Sequence, residues 1–402
     1  MKSLLQTFSV PYQYPVHFTH RAFAPENKVL VDTLQAAGHG PHRVLVVVDE
    51  GVLDGDTQVL EQIEAYFNLH SDALHLVRSP LVFSGGEAGK NGSQAYKMVQ
   101  AAIHQFGICR QSFIIAIGGG ALLDLVGFAA GTAHRGVRLV RMPTTVLSQN
   151  DSGVGVKNSV NAFEKKNFLG TFAPPFAVIN DFAFLNSLSH RDWIGGIAEA
   201  VKVALLKDPA FFDFIETNAD ALVAHDEAAM KHLVFRSAEL HLRHIGTGGD
   251  PFETRSSRPL DFGHWSAHKL EQLTNFELRH GEAVAIGIAL DSTYSHLDGL
   301  LPTAQWERII NLLSRLGFSL SVPEAVQRLG PAEDPGALLH GLTEFREHLG
   351  GELTITLLRG IGQSIEVHHM DEDRVVSSAR ILQEPRRPAQ VPRQRSAHLS
   401  AV

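Results

Sequence analysis

Along the first half of the chain the apolar positions fall into short unbroken runs. Residues 44–48 are uninterrupted and end at Asp49, and residues 112–117 (SFIIAI) run straight into Gly118, Gly119 and Gly120. Residues 139–142 and 176–179 are of the same kind, and 73–77 form a further candidate closing near Pro80. A strand that is apolar at every position is covered on both faces, which predicts a parallel sheet. Residues 91–106 carry helical spacing between two of these runs, so the pattern alternates strand and helix in the manner of an α/β domain. From about residue 185 the runs cease. The spacing there predicts helices over 192–206, 209–224, 227–245, 281–297 and 303–316, and one late hairpin, 353–358 with 365–369. The expected organisation is an α/β domain over 1–184 and a mainly α-helical domain over 185–383. The tail 384–402 carries Pro385, Pro388 and Pro392 among four arginines and is expected to be disordered.

Composition narrows the class. A length of 402 residues suits two domains, and 44% apolar with 19% charged residues suits a packed core. Lys plus Arg number 35 against 43 Asp plus Glu, a net charge of -8 without the basic surplus of a phosphate-neutralising nucleic-acid binder. Cys109 is the single cysteine, so an intrachain disulfide and a cysteine-based zinc site are excluded. No apolar run approaches the ~18 residues of a membrane span. The opening stretch, interrupted by Gln6, Pro11 and Pro15, has no convincing cleavage site, and the expectation is a mature cytoplasmic protein.

Four constellations carry candidate chemistry. The triple-glycine turn ends a buried strand and opens a helix, where backbone N–H groups can face a pyrophosphate. It is not G-x-G-x-x-G, and alone it serves a nucleotide or an ordinary tight turn equally. Asp49 at a strand end, where a carboxylate can hold ribose hydroxyls, and Gly85-Gly86-Glu87 with Lys90 favour the nucleotide. His264, His268 and Glu271 fall on one face of a helix, and His280 opens HGEAVAIG. A histidine pair at i and i+4 is usually structural, but three histidines with nearby acids shift the balance towards a metal shell. Glu199 and Lys202 stand one turn apart, as a surface ion pair or as a metal carboxylate beside a phosphate lysine. The stretch 143–170, with Asp151, Lys157, Lys166 and Asn167, is either a long loop or a phosphate cradle.

In this order and spacing the residues resemble the sugar phosphate cyclase superfamily, of which 3-dehydroquinate synthase is the best-known member. The match spans roughly residues 40–370: Gly118–Gly120 with Asp124, Arg135-Gly136, Pro143-Thr144-Thr145, Asp151 and Lys157, Lys166-Asn167, Glu199 and Lys202, His264 and His268, and His280. The resemblance implies a Rossmann-like NAD-binding domain followed by a helical metal- and substrate-binding domain. It implies a metal, zinc or cobalt, on Glu199, His264 and His280. It implies NAD against Asp49, Glu87, Lys90, Gly119, Gly120, Asp124, Thr144, Thr145 and Lys166. The substrate phosphate would meet Lys157, Asn167, Lys202 and His268, with Asp151 beside them. Arg135 would reach it from the second subunit of a homodimer, and Glu253 stands at an acid/base position. The implied reaction oxidises a ring hydroxyl transiently, eliminates phosphate, returns the hydride and closes a carbocycle by an intramolecular aldol step. Overall it is a lyase reaction on a small sugar phosphate.

Departures from 3-dehydroquinate synthase bear on the substrate. Its carboxylate-reading lysine position carries Arg243, and its arginine position carries Ser257 with Arg258 one residue off register. Asp261 replaces an asparagine, and the late DKK reads Phe345-Arg346-Glu347. Asp261 and Glu347 would repel a carboxylate by on the order of 1 to 4 kcal/mol at ~4 Å. The pattern resembles the branch that cyclises sedoheptulose 7-phosphate to valiolone-type cyclitols, with His268 pointing to the 2-epi-valiolone type. The HWSAHKLE wording also resembles cyclase-like proteins of the bacterial Ebo cluster. The other readings are 3-dehydroquinate synthase itself, a metal-dependent alcohol dehydrogenase without need of Lys157 and Lys202, and a non-catalytic NAD- and metal-binding protein.

Overall fold

The computed structural model describes residues 2–384, apart from 92–93, 164, 249, 253–257, 327 and 349. Eleven strands are present among them: β1 (Val16–Thr19), β2 (His42–Asp49), β3 (Leu74–Leu76), β4 (Leu81–Phe83), β5 (Phe113–Gly118), β6 (Arg138–Pro143), β7 (Lys157–Ala162), β8 (Lys165–Phe172), β9 (Ala177–Asp181), β10 (Ile355–Gly360) and β11 (Gln363–Val367). Seven form one sheet in the order β1-β9-β6-β5-β2-β3, with β4 also on β2. Every pairing in it is parallel. The unbroken apolar runs are explained by the two faces. Val44, Val46 and Val48 join Phe113, Ile115 and Ile117 in one core, while Leu45 and Val47 join Ile114 and Ala116 in the other. Successive side chains of each strand therefore enter different cores.

The sheet ends at Asp181, and the first α-helix beyond it is His190–Gly195. A third, larger core lies among the helices, around Ile197–Lys207 and His280–Leu297. The β10–β11 hairpin is antiparallel and is tied to those helices by Gly362 N–H donating to Leu205 O at 2.7 Å. No described helix is long and apolar enough to cross a membrane.

Three features differ from the sequence expectation. The single helix over 192–206 is two, parted at Gly196, where a Cβ would stand 2.3 Å from the backbone N of Leu147. The segment 209–224 likewise divides at Asn218. Much of the expected loop 143–170 is the antiparallel β7–β8 hairpin, Lys157 opposite Phe172. Of its four buried positions only Val160 packs in a core, while Asn158, Ser159 and Asn161 hydrogen-bond, so hydropathy gives little sign of a strand there.

Candidate active site

A cleft of about 1370 Å³ opens between the ends of the sheet strands, the β7–β8 hairpin and the helices. Gly119 and Thr144 enter it from the sheet, Lys157 and Lys166 from the hairpin, and His264 and His280 from the helices. Ligands of open α/β sheets bind at this edge, outside the carboxyl ends of the strands.

On the helical side Glu199, His264 and His280 converge, with their donor atoms all within 4.8 Å of one another. Glu199 Oε1 lies 3.5 Å from His264 Nε2 and 3.2 Å from His280 Nε2. Donors bonded to one tetrahedral zinc ion stand about 3.3–3.5 Å apart, so two imidazoles and a carboxylate fit that geometry with a fourth position left over. The far nitrogens are engaged as well. His264 Nδ1 is 3.1 Å from Phe262 O, and His280 Nδ1 is 3.2 Å from Glu271 Oε2, which fixes both tautomers with Nε2 turned to Glu199. Burial opposes charge on His280, yet Glu271 and Glu199 outweigh it and push the imidazole up to about 9. The carboxylates thus draw positive charge to this point, which a divalent cation supplies in exchange for the proton.

His264 owes its place to the residues flanking it. Gly263 has φ +77°, a left-handed turn that opens the helix His264–Leu273. Asp291 is fully buried and accepts from Gly263 N–H at 3.0 Å and Trp265 Nε1–H at 2.9 Å. Burial pushes its carboxyl up to about 7 against the pull of those two donors. His268, one turn on, stays neutral, because burial and the Lys166 charge hold its imidazole well below the usual range.

Behind the trio runs a line of paired charges. Lys202 Nζ lies 2.5 Å from Glu199 Oε2 and 3.8 Å from Asp151 Oδ2. Asp151 Oδ1 in turn takes His241 Nδ1 at 2.6 Å. Burial by itself would discharge Lys202, but Glu199 and Asp151 outweigh it and raise its pKa. Asp151 sits in a single π-turn, Ser148–Ser152, an irregularity frequent at functional sites. The strand ahead of it supplies the anchor: buried Arg141 donates to Gly155 O and Lys157 O at 2.8 Å each. His241 and Arg141 were not singled out from the sequence.

On the sheet side Lys90 is the hub. Its buried ammonium reaches Asp124 at 2.8 Å, Ser159 at 3.2 Å and Asn167 Oδ1 at 2.5 Å, while Asn161 donates to Glu87 at 3.2 Å. Asp49, Gly119, Gly120, Thr144 and Thr145 line the same end. Lys166, grouped with NAD by resemblance, lies 2.9 Å from Glu271 Oε1.

Not every expected residue comes to the cleft. Arg243 is turned away: it is 62% exposed and paired with Glu239 at 2.6 Å. On the helix Glu227–Thr247, His241 and Ile245 face the cleft, and a residue two places from 241 is rotated about 200° from it. Glu347 is 64% exposed beside Lys165, so of the triplet 345–347 Phe345 alone lines the cleft. The repulsion expected from Glu347 is therefore withdrawn, whereas Asp261 does line the cleft, 4.0 Å from Arg258. Arg135 is exposed and outside its own chain's cleft. Glu253 and Ser257, like residues 385–402 of the tail, lie outside the described residues.

The family model of the 3-dehydroquinate synthase N-terminal part matches residues 80–195, and that of the C-terminal part matches 196–332. A 2-epi-valiolone synthase of Actinosynnema mirum is 35% identical over 291 residues, 72% of this chain and 74% of its own. A 3-dehydroquinate synthase of Xylella fastidiosa is 34% identical over 308 residues, 75% of this chain and 80% of its own. Among solved structures, ValA, the 2-epi-5-epi-valiolone synthase of Streptomyces hygroscopicus with NAD+ and Zn2+ bound, gives a TM-score of 0.83 at 30% identity over 94% of this chain and 99% of that one. Two adjoining family models thus cover most of the cleft lining, from residue 80 to 332, and the chain belongs to the 3-dehydroquinate synthase family of sugar phosphate cyclases.

Proposed function

We propose that the protein converts sedoheptulose 7-phosphate to a valiolone-type cyclitol, 2-epi-valiolone, and inorganic phosphate. NAD and a divalent ion, zinc or cobalt, are its cofactors. The observation that carries this reading is Asp261, which lines the cleft 4.0 Å from Arg258. A substrate carboxylate there would meet a like charge, at a cost on the order of 1 to 4 kcal/mol, and an arginine whose charge is already answered. A neutral polyol end meets hydrogen-bond acceptors instead.

When bound, NAD accepts and returns a hydride, and the divalent ion polarises the hydroxyl that is oxidised. Glu199, His264 and His280 fit that ion. Lys202 keeps its charge and, with Asn167, suits a phosphate dianion. Neutral His268 can accept or pass on a proton beside it. Elimination breaks the C–O bond to phosphate while the neighbouring carbon loses a proton, so the net change is loss of phosphoric acid and ring closure.

The test is phosphate release with NAD+ and Zn2+ or Co2+. Sedoheptulose 7-phosphate and the carboxylated seven-carbon substrate of 3-dehydroquinate synthase are offered in parallel. Release from the heptulose alone, with the product's NMR spectrum giving its stereochemistry, is expected. Release from the carboxylated sugar alone would overturn the reading in favour of 3-dehydroquinate synthase. The same proposal includes a homodimer in which Arg135, exposed and outside its own cleft, serves the partner's phosphate site. Light scattering on the purified protein tests the dimer, and phosphate release by Arg135→Ala tests the contact.

A further inference from the structure

Glu271 lies outside the Glu199–His264–His280 trio and the groups assigned to NAD or phosphate, though its oxygens also come within 4.8 Å of donors on His268 and His280, and it is 3% exposed and charged. Both of its oxygens are used. Oε2 faces His280 Nδ1 at 3.2 Å, and the Lys166 ammonium spans Oε1 at 2.9 Å and Oε2 at 3.1 Å. Lys166 stands on β8 of the hairpin, His280 at the start of the helix His280–Leu297, and Glu271 on the helix His264–Leu273 that also carries His264. One carboxylate therefore joins the hairpin wall of the cleft to two of the three converging side chains.

We propose that Glu271 is a positioning residue for the metal site: it holds the His280 ring with Nε2 towards Glu199. The inference rests on reading Glu199, His264 and His280 as the ligands of a divalent ion. An imidazole free to spin about χ2 presents Nε2 to the ion in only part of its orientations. An acceptor on Nδ1–H removes the others and makes Nε2 a better donor. A carboxylate does both, whereas a neutral amide keeps the acceptor without the charge. Lys166 leaves Glu271 able to accept from His280, because a carboxylate has acceptor positions for both partners.

The experiment is a Co2+ titration of chelator-stripped protein, read from the visible absorption of the bound ion and therefore independent of turnover. The wild type is compared with Glu271→Gln, Glu271→Ala and Lys166→Met, with thermal unfolding as the control for folding. The expected loss of Co2+ affinity is about tenfold in Glu271→Gln and about 100-fold in Glu271→Ala. Lys166→Met, which leaves the His280 contact in place, should bind Co2+ as tightly as the wild type or tighter. Affinity in Glu271→Ala within threefold of the wild type would overturn the role of Glu271. So would an equal loss in Lys166→Met, since the effect would then lie in the pair's packing and not in the imidazole. A wild type that takes up no Co2+ would instead remove the metal-site reading on which the inference stands.

Discussion

Asp291 offers the sharpest physical test of the helical half. It is fully buried and pushed from the ordinary 3.8 up to about 7, by burial first and against donors from Trp265 and Gly263. A carboxyl whose folded pKa is raised contributes stability that is complete below about pH 4 and is lost as the pH rises through 7. At pH 5 the native state holds the proton that the unfolded chain has given up, two units below the folded pKa, which amounts to about 3 kcal/mol. At pH 8 both states are ionised and the contribution has gone. The amide introduced by Asp291→Asn has no such proton to lose. Whatever that substitution costs in packing and hydrogen bonding, the variant should therefore gain about 3 kcal/mol on the wild type between pH 5 and pH 8. Urea unfolding with chelator at both pH values, followed by tryptophan fluorescence, measures this, and Trp265 reports from the contact itself. A relative gain below about 1 kcal/mol would mean that Asp291 is not held protonated, and the reasoning from burial would fail.

Other substitutions separate the faces of the elements. Arg243→Ala should leave phosphate-release kcat/KM within about twofold, as an exposed ion pair is worth about 1 kcal/mol or less. His241→Ala, which strips Asp151 of its 2.6 Å partner, should lower it by about tenfold or more in the same assay. Gly263→Ala forces a left-handed residue and sets a Cβ 2.7 Å from Ile288 N, so a loss above about 2 kcal/mol is expected in thermal or urea unfolding. Lys202→Met leaves buried Glu199 with the His280 imidazolium but without the ammonium, at a cost of up to about 3–5 kcal/mol in metal-free protein. Part of that cost should return when Zn2+ is added, which a pair of thermal melts checks.

What the sequence disclosed follows from where burial is apolar. Strands β2 and β5 are legible because both faces are covered by hydrocarbon, and every position says so. Strand β7 is not, because Asn158, Ser159 and Asn161 are buried on hydrogen bonds and look like loop residues. The need for glycine at 196 is tertiary, the backbone at Leu147, which no local pattern contains. Within the site, the convergence of Glu199, His264 and His280 is anticipated by family order more than by spacing, since 65 residues separate the first two. Arg243 is expected in the cleft because it stands at the family's carboxylate-reading lysine position, and the structure turns it outward. The described residues between Thr247 and Pro259 are not helical and do not carry helical phase, so sequence position says nothing of which side of the helix faces inward. The apolar Ile245, four residues from His241, is the available clue.

The charges around the cleft touch one another in sequence: Lys166 with Glu271, Glu271 with His280, His280 with Glu199, Glu199 with Lys202, Lys202 with Asp151, and Asp151 with His241. Mobile ions screen over about 8 Å at physiological ionic strength, but they act through solvent and have no room between buried groups in contact. Raising the salt therefore alters the approach of an anionic ligand from outside without loosening the array that receives it. Its cost in stability falls on exposed pairs such as Lys231 with Glu227. Ionic strength should thus be felt in the rate of capture well before it is felt in the shape of the site.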